Sequence, residues 1–289
     1  MSARQKDEIS GVETTGHEWD GIKELDNPLP RWWLWVFYAT IVWAIGYCIY
    51  YPAVPLISSN TEGVGGYSSR AELHQEIAAV EEGRADLLAQ IEATNVEDIV
   101  KNDSLHRFAV SGGASAFKVY CSQCHGSGAA GSPGYPNLND DVWLWGGTVE
   151  AIHQTIAHGI RYAGDEDTRF SEMPAFGRDG ILSASEIRAT ANFVGKLGNL
   201  EHDAALAEAG ETLYADNCAS CHGEAGKGMR DLGAPNLTDA IWLYGGTIEE
   251  IATQIGAPKH GVMPAWGERL GDATVKQLSV FVHSLGGGE

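Results

Sequence analysis

Cys121-Ser-Gln-Cys124-His125-Gly126 and Cys218-Ala-Ser-Cys221-His222-Gly223 are two copies of one motif, 97 residues apart. The likeness runs outward from both. Upstream, Gly113 and Phe117 correspond to Gly210 and Tyr214 at the same offset. Downstream, Pro136-Asn137-Leu138 matches Pro235-Asn236-Leu237, and Trp145-Gly146-Gly147-Thr148 matches Tyr244-Gly245-Gly246-Thr247, both 99 residues apart. Met173-Pro174-Ala175-Phe176 then matches Met263-Pro264-Ala265-Trp266, 90 residues apart. The second copy gains two residues after its His and loses nine before its Met. Copies that differ only in loop length indicate duplication of one domain of about 90 residues, placed at 105–200 and 201–289.

Each copy opens with a helical stretch, 112–120 or 204–217, that ends at the Cys motif. Each closes with an amphipathic helix. In the first, Ser183-x-x-Glu186 predicts a capping box ahead of Ile187, Ala191, Phe193, Val194 and Leu197. In the second, Asp272 is the expected N-cap, followed by Val275, Leu278, Val280, Phe281 and Leu285. The paired Gly of the opening helices removes the side-chain barrier to a close helix crossing. No sustained period-2 alternation is present, so the expected fold is all-α with long loops.

Cys-x-x-Cys-His is the pattern of covalent haem c attachment: two thiols add across two vinyl groups, and the adjacent His is held beneath the iron. A four-Cys zinc site would require the two pairs to converge and leaves both His-Gly steps unexplained. A thioredoxin-like redox pair requires a βαβ context, which the pattern lacks. The expected cofactors are therefore two covalently bound haem c groups, on Cys121 and Cys124 and on Cys218 and Cys221. His125 and His222 are the expected first axial ligands. Apart from Met1, only Met173, Met229 and Met263 are available as thioether donors. Met229 lies seven residues past His222, too near to reach the other face of the ring, so Met173 and Met263 are the expected second ligands. The simplest pairing puts Met173 on the first haem and Met263 on the second. His153, His158, His260 and His283 are not duplicated at their repeat positions and read as surface or packing residues. The carbonyls of Pro136 and Pro235 are candidates to accept Nδ1–H of the two axial His.

Residues 32–51, WWLWVFYATIVWAIGYCIYY, pass without a charge for twenty residues. At 1.5 Å rise per residue such a helix is roughly 30 Å long, the thickness of a bilayer core. Trp and Tyr gather at its two ends, as interfacial belts do, and Pro52 and Pro55 end it. The preceding 31 residues are mostly acidic and no small-residue cleavage site follows, unlike a secretory signal peptide. Cys48 within the run reads as a packing residue. The expected plan is a cytoplasmic segment at 1–31, a transmembrane anchor at 32–55 and a periplasmic linker at 56–104. The stretch 68–104 is helix-prone, interrupted at Gly83, and polar enough to be a solvated spacer. Haem c attachment takes place outside the bacterial cytoplasmic membrane, which predicts a single-pass inner-membrane protein with its N-terminus inside and its haem domains in the periplasm.

Nineteen Lys and Arg against thirty-nine Asp and Glu give a net charge of −20, which argues against nucleic acid as a partner. After residue 51 the balance is fifteen basic to thirty-two acidic residues, suited to steering a basic partner. An iron ligated by both His and Met has no open position for peroxide or oxygen, and no general acid, base or nucleophile converges in the sequence. The isolated chain therefore reads as an electron carrier and not an enzyme. The alternatives are a diheme peroxidase, or the cytochrome c subunit of another membrane dehydrogenase.

Two haem motifs behind one anchor resemble the diheme cytochrome c subunit, of CcoP or FixP type (subunit III), of cbb3-type cytochrome c oxidases. The most specific part is His17-x-x-Asp20-Gly21-Ile22-x-Glu24-x-Asp26-Asn27-Pro28-Leu29-Pro30-x-Trp32-Trp33, followed by the span and Tyr51-Pro52. The resemblance implies one N-terminal transmembrane helix and two tandem class I cytochrome c domains. It implies electron transfer from a periplasmic donor cytochrome c to the monohaem subunit, and from there to the oxygen-reducing haem–copper subunit. It also implies that the methionines are open to exchange between the two haem domains.

Overall fold

The computed structural model describes residues 4–289, and the chain divides into two compact units, Met1–Glu82 and Gly83–Glu289. The first unit begins with an antiparallel hairpin, β1 (Thr14–Trp19) and β2 (Ile22–Leu25), in which Trp19 pairs with Ile22. Asp20 and Gly21 form its two-residue turn, both at positive φ (48° and 84°). Asp-Gly is the dipeptide such a turn selects, because both central residues must adopt the left-handed region. The largely helical class stands; this short hairpin is the addition to it.

Helix α1 (Arg31–Tyr50) begins after Pro30 and is apolar on all sides, with none of its residues buried. It is long and apolar enough to cross a membrane. Its last carbonyls do not go unpaired. The chain folds back so that Val64 N–H donates to Ile49 O and Gly65 N–H to Tyr50 O, each at 2.9 Å. Gly63, at φ +72°, permits that return, since a Cβ there would strike the Tyr50 carbonyl. Tyr51 packs edge-on against Tyr50 and Tyr67.

Helix α2 (Ser69–Ala93) runs straight through Gly83, contrary to the interruption expected there. One exposed Gly costs about 1 kcal/mol in a helix, too little to break twenty-five residues of good formers. The end of the expected spacer is likewise not solvated. Ile91, with Val96 and Ile99 of α3 (Val96–Lys101), is buried with Leu105, Ala109, Val149 and Val280. Lys276 Nζ donates to Glu92 O at 2.7 Å, fixing the same end.

In the second unit α4 (Asp103–Tyr120) starts at Asn102, whose side chain accepts from the Ser104 and Leu105 N–H groups. It leads into α5 (Ser122–His125), the turn that carries the first motif. Helix α6 (Val149–His158) is capped by Thr148. Helix α7 (Ala184–Leu197) has the expected capping box between Ser183 and Glu186. The second copy repeats the order with α8 (Ala204–Asn217), α9 (Ala219–His222), a 3-10 turn at Arg230–Leu232, and α10 (Ile248–Gly256). Short α11 (Gly267–Leu270) precedes α12 (Asp272–His283). Its N-cap is Gly271; Asp272 is the first helical residue, and its carboxylate meets Lys276 Nζ at 2.7 Å instead of capping.

The closing helices are exchanged between the repeats. Helix α12 packs on α4 and α6 of the first copy, whereas α7 packs on α8 and α10 of the second. Gly113 of α4 lies under the Gln277 carbonyl of α12, and Gly210 of α8 under the Ala189 carbonyl of α7. The two crossings are completed by Phe117 against Phe281 (5.4 Å between ring centroids) and Phe193 against Tyr214 (5.1 Å). Each hydrophobic core therefore draws on both sequence repeats. The packing boundaries of the helices and the repeat boundaries of the sequence differ.

Candidate haem-binding site

Each Cys motif sits where an opening helix stops. Cys121 N–H donates to Phe117 O and Cys218 N–H to Tyr214 O, so each first Cys closes its helix against the aromatic four residues earlier. The His of each motif ends the following turn, and Gly126 and Gly223 leave it at φ +80° and +78°. Tyr214 Oη donates to Gly223 O at 2.8 Å, tying that exit to the core.

Both imidazoles are oriented as expected. His125 Nδ1 lies 3.1 Å from Pro136 O, and His222 Nδ1 lies 3.1 Å from Pro235 O. A carbonyl can only accept, so each Nδ1 carries the proton and Nε2 keeps its lone pair for a metal. Burial holds both pKa values below the usual imidazole range, although the carbonyl opposes it; both rings are neutral near pH 7. Burial also pushes the Cys121 and Cys218 thiols up to about 11, which disfavours a reactive thiolate pair. Cys124 is exposed and Cys221 half-buried, at the rims of their sites.

Two cavities are lined by these groups, Cys124 excepted. The first encloses about 730 Å³ out to its mouth, and Cys121, His125, Met263, Trp143, Ile152 and Leu278 are among its walls. The second encloses about 1350 Å³, with Cys218, Cys221, His222, Met173, Trp242 and Ile255 among its walls. The methionines thus stand across the repeats: Met263 shares a cavity with His125, and Met173 with His222. The within-repeat pairing is not the one the cavities bring together. Met229 lines neither cavity. His153 and His158 meet Asp272 and Asp165, respectively. His283 Nε2 lies 3.1 Å from Glu289 O. His260 borders the second cavity but is exposed and lacks the orienting carbonyl that His125 and His222 have.

The donor set and walls fit a covalently held haem. A flat apolar macrocycle suits the aliphatic and indole walls, and each cavity offers a motif imidazole and one thioether, with the Cys121 thiol in the first and the Cys218 and Cys221 thiols in the second. Trp242 Nε1 is buried in the second cavity without a protein partner, a donor left for an acidic edge of such a group. Its counterpart Trp143 donates instead to Gly287 O at 2.5 Å. Sequence reasoning missed both indoles and also Leu144, which lines both cavities. The signal was present, as Trp143-Leu144 and Trp242-Leu243 repeat at the 99-residue offset just ahead of the Gly-Gly-Thr step.

Comparison with known proteins finds relatives over nearly the full length of the chain. Residues 11–58 match the family described as the N-terminal domain of cytochrome oxidase-cbb3, FixP. Residues 108–194 and 205–282 each match cytochrome c oxidase, cbb3-type, subunit III. The chain belongs to the FixP/CcoP family of cbb3-type cytochrome c oxidase subunits. It is 60% identical over 283 residues to the FixP subunit of Rhizobium meliloti (strain 1021), covering 98% of this chain and 97% of that one. It is 53% identical over 276 residues to the CcoP subunit of Cereibacter sphaeroides, covering 96% and 95%. A FixP subunit of Bradyrhizobium diazoefficiens is 52% identical over 287 residues, covering 98% of each. Membership in the FixP/CcoP family makes this chain a haem-binding, cytochrome c-type subunit of a respiratory oxidase, with α1 as its candidate membrane helix.

Proposed function

We propose that this subunit carries two covalently attached haem c groups and relays electrons from a periplasmic cytochrome c, through the monohaem subunit, to the oxygen-reducing haem–copper subunit. The observation that carries the reading is the duplicated cavity: Cys121 and His125 line the first with Met263, and Cys218, Cys221 and His222 line the second with Met173, so each meets a methionine from the other repeat. Cys121 and Cys124 would hold the first group, Cys218 and Cys221 the second. His125 with Met263, and His222 with Met173, would supply the axial ligands. When bound, haem c supplies a one-electron ferric/ferrous couple, and a thioether opposite an imidazole raises its potential.

The chain's own part is binding, orientation and exclusion. Pro136 O and Pro235 O hold the His tautomer that leaves Nε2 free to ligate. The apolar walls would limit water at a bound metal, and an imidazole and a thioether together would leave no position on it for oxygen or peroxide. Catalysis of oxygen reduction then belongs to another subunit. Leu144 lines both cavities, which makes the two sites neighbours within the second unit. Helix α1 would anchor the subunit with the N-terminus in the cytoplasm and the cavities in the periplasm. The acidic balance beyond residue 51 favours a basic donor.

The test is solubilisation and purification of the tagged chain from its membranes. The expected result is a haem-staining band at 31.0 kDa plus two haem masses, co-purifying with a haem–copper subunit and with low-spin c-type spectra. A dehydrogenase as partner, or a ferrous spectrum dominated by a carbon monoxide-reactive c-type haem, would overturn the reading. Oxidase turnover with a basic donor cytochrome should fall as salt rises; a flat dependence removes the steering argument.

A further inference from the structure

One arginine joins the two methionine segments. Arg161 follows α6 after Gly159 and Ile160, with its backbone in the left-handed region (φ +52°) and its side chain half-buried at the edge of the second cavity. Its Nε donates to Gly261 O at 2.8 Å, and its Nη1 donates to Ser171 O at 2.9 Å. Gly261 stands two residues before Met263, and Ser171 two residues before Met173. The two acceptors are thus equivalent positions in the two repeats, gripped by a single guanidinium. The backbone on either side of Arg161 is itself pinned. Ile160 and Met263 exchange N–H···O bonds of 2.9 and 3.0 Å, and Arg161 N–H donates to Arg169 O at 2.8 Å. Neither methionine lies in a helix, so nothing periodic fixes its sulfur. The nine residues missing from the second copy fall in this region, and the basic residues there, Lys259 and His260, are exposed.

We propose that Arg161 is a positioning residue that sets both methionine thioethers at once, so that the two haem sites share one mechanical support. The proposal rests on the reading of Met173 and Met263 as axial ligands. A planar guanidinium with five donors can satisfy two carbonyls on two different loop segments in fixed directions. A lysine ammonium is a point donor on a flexible stem and reaches one of them at a time. Removing the fork takes the side-chain anchor from both segments, leaving the Met263 segment its backbone pair with Ile160, and the weaker of the two protein ligands of each iron, the thioether, would be the one to loosen.

The experiment compares the full-length chain with its Arg161→Ala and Arg161→Lys variants, purified with both haems attached and counted by haem stain and mass. Arg178→Ala, which removes an exposed guanidinium paired with Asp179, is the control. The readouts are the near-infrared sulfur-to-iron charge-transfer band of the ferric protein and the two midpoint potentials. In Arg161→Ala the open-to-ligated ratio at each iron is expected to rise about tenfold or more, the factor for losing one charge-assisted hydrogen bond per segment. When imidazole is titrated in as a competing ligand, the band is then lost at about tenfold lower imidazole for both haems and both potentials drop, with Arg161→Lys intermediate and the control unchanged. An imidazole midpoint unchanged from the unmodified protein, or a change confined to one haem, overturns the shared support. An unmodified protein with no such band at all overturns the ligand reading instead, so the two failures are distinguishable.

Discussion

Met173 and Met263 are where the two sites depart from a simple repeat, since His125 and His222 match in tautomer and carbonyl partner. Each methionine lines the cavity of the other repeat's histidine, which predicts crossed effects. In Met173→Ala the haem attached at Cys218 and Cys221 should become high-spin and bind carbon monoxide, while the haem at Cys121 and Cys124 keeps its ligation. Met263→Ala should do the reverse. Assigning each spectrum in chains with only one intact Cys motif checks this, and an effect confined to the same repeat would defeat it. Gly159 is the backbone residue that admits Met263. It sits at φ +71°, and a Cβ there would run into Met263 O and approach Ala265 N at 2.8 Å. Gly159→Ala should therefore cost about 1–3 kcal/mol of stability and weaken methionine ligation at the first iron before the second. Thermal melts read beside the charge-transfer band would show both effects.

The helices act through their crossings and their caps. At Gly113 and Gly210 the partner's carbonyl occupies the place of a Cβ, so either residue changed to Ala should destabilise by about 1–3 kcal/mol through forced separation of the pair. Denaturant midpoints measure the loss, and a neutral result would mean that the crossing is looser than it stands here. Caps carry the pH dependence. In α7 and α10, Glu186 and Glu250 accept the N–H of Ser183 and Thr247, and these bonds hold both carboxylates below their ordinary range. A depressed carboxylate pKa contributes stability above the unfolded value and loses it as pH falls through the folded value. Glu186→Gln should flatten that acid decline by removing the contribution at neutral pH, so its pH 7 melt falls slightly toward the acid value, as followed by circular dichroism from pH 7 downward. These features were legible in the sequence because they are local: the Cys-x-x-Cys-His turns, the Ser183–Glu186 box and the paired glycines each need only a few neighbouring residues. Local reading erred where two local preferences competed. Gly83 disfavours a helix but is outnumbered by good helix formers, and Asp272 suits a cap but Gly271 takes that place while Asp272 meets Lys276. The Asp20-Gly21 turn was a readable hairpin signal between strands too short to show a period.

For the whole second unit, the deciding fact is the exchange of α7 and α12, and no local pattern encodes it. The two closing helices present similar apolar faces, so either would satisfy either opening helix by periodicity alone. The choice is made by chain path: Ile160 pairs with Met263, and Gly177 and Arg178 N–H groups donate to Gly256 O, which carries each methionine segment to the other copy's middle helix. One consequence follows for truncation. A chain ending at residue 200 retains α4, α6 and α7 but lacks α12, so Phe117, Ile152 and Ile156 lose Val275, Leu278 and Val282, their buried partners. Helix α7 in turn loses Tyr214 and Ile251, against which Phe193 and Ile187 pack. Two half-cores then remain, neither closed, and His125 has no Met263. We therefore expect residues 83–200 alone to show no cooperative unfolding and no methionine-ligated spectrum, although the repeat is whole in sequence. Residues 83–289 should unfold in one transition with both sites ligated. Scanning calorimetry with visible spectra on the two fragments compares them directly. A cooperative, sulfur-ligated 83–200 fragment would mean that Met173 can turn back to His125, and that the exchange is a preference of the intact chain and not a requirement of the fold.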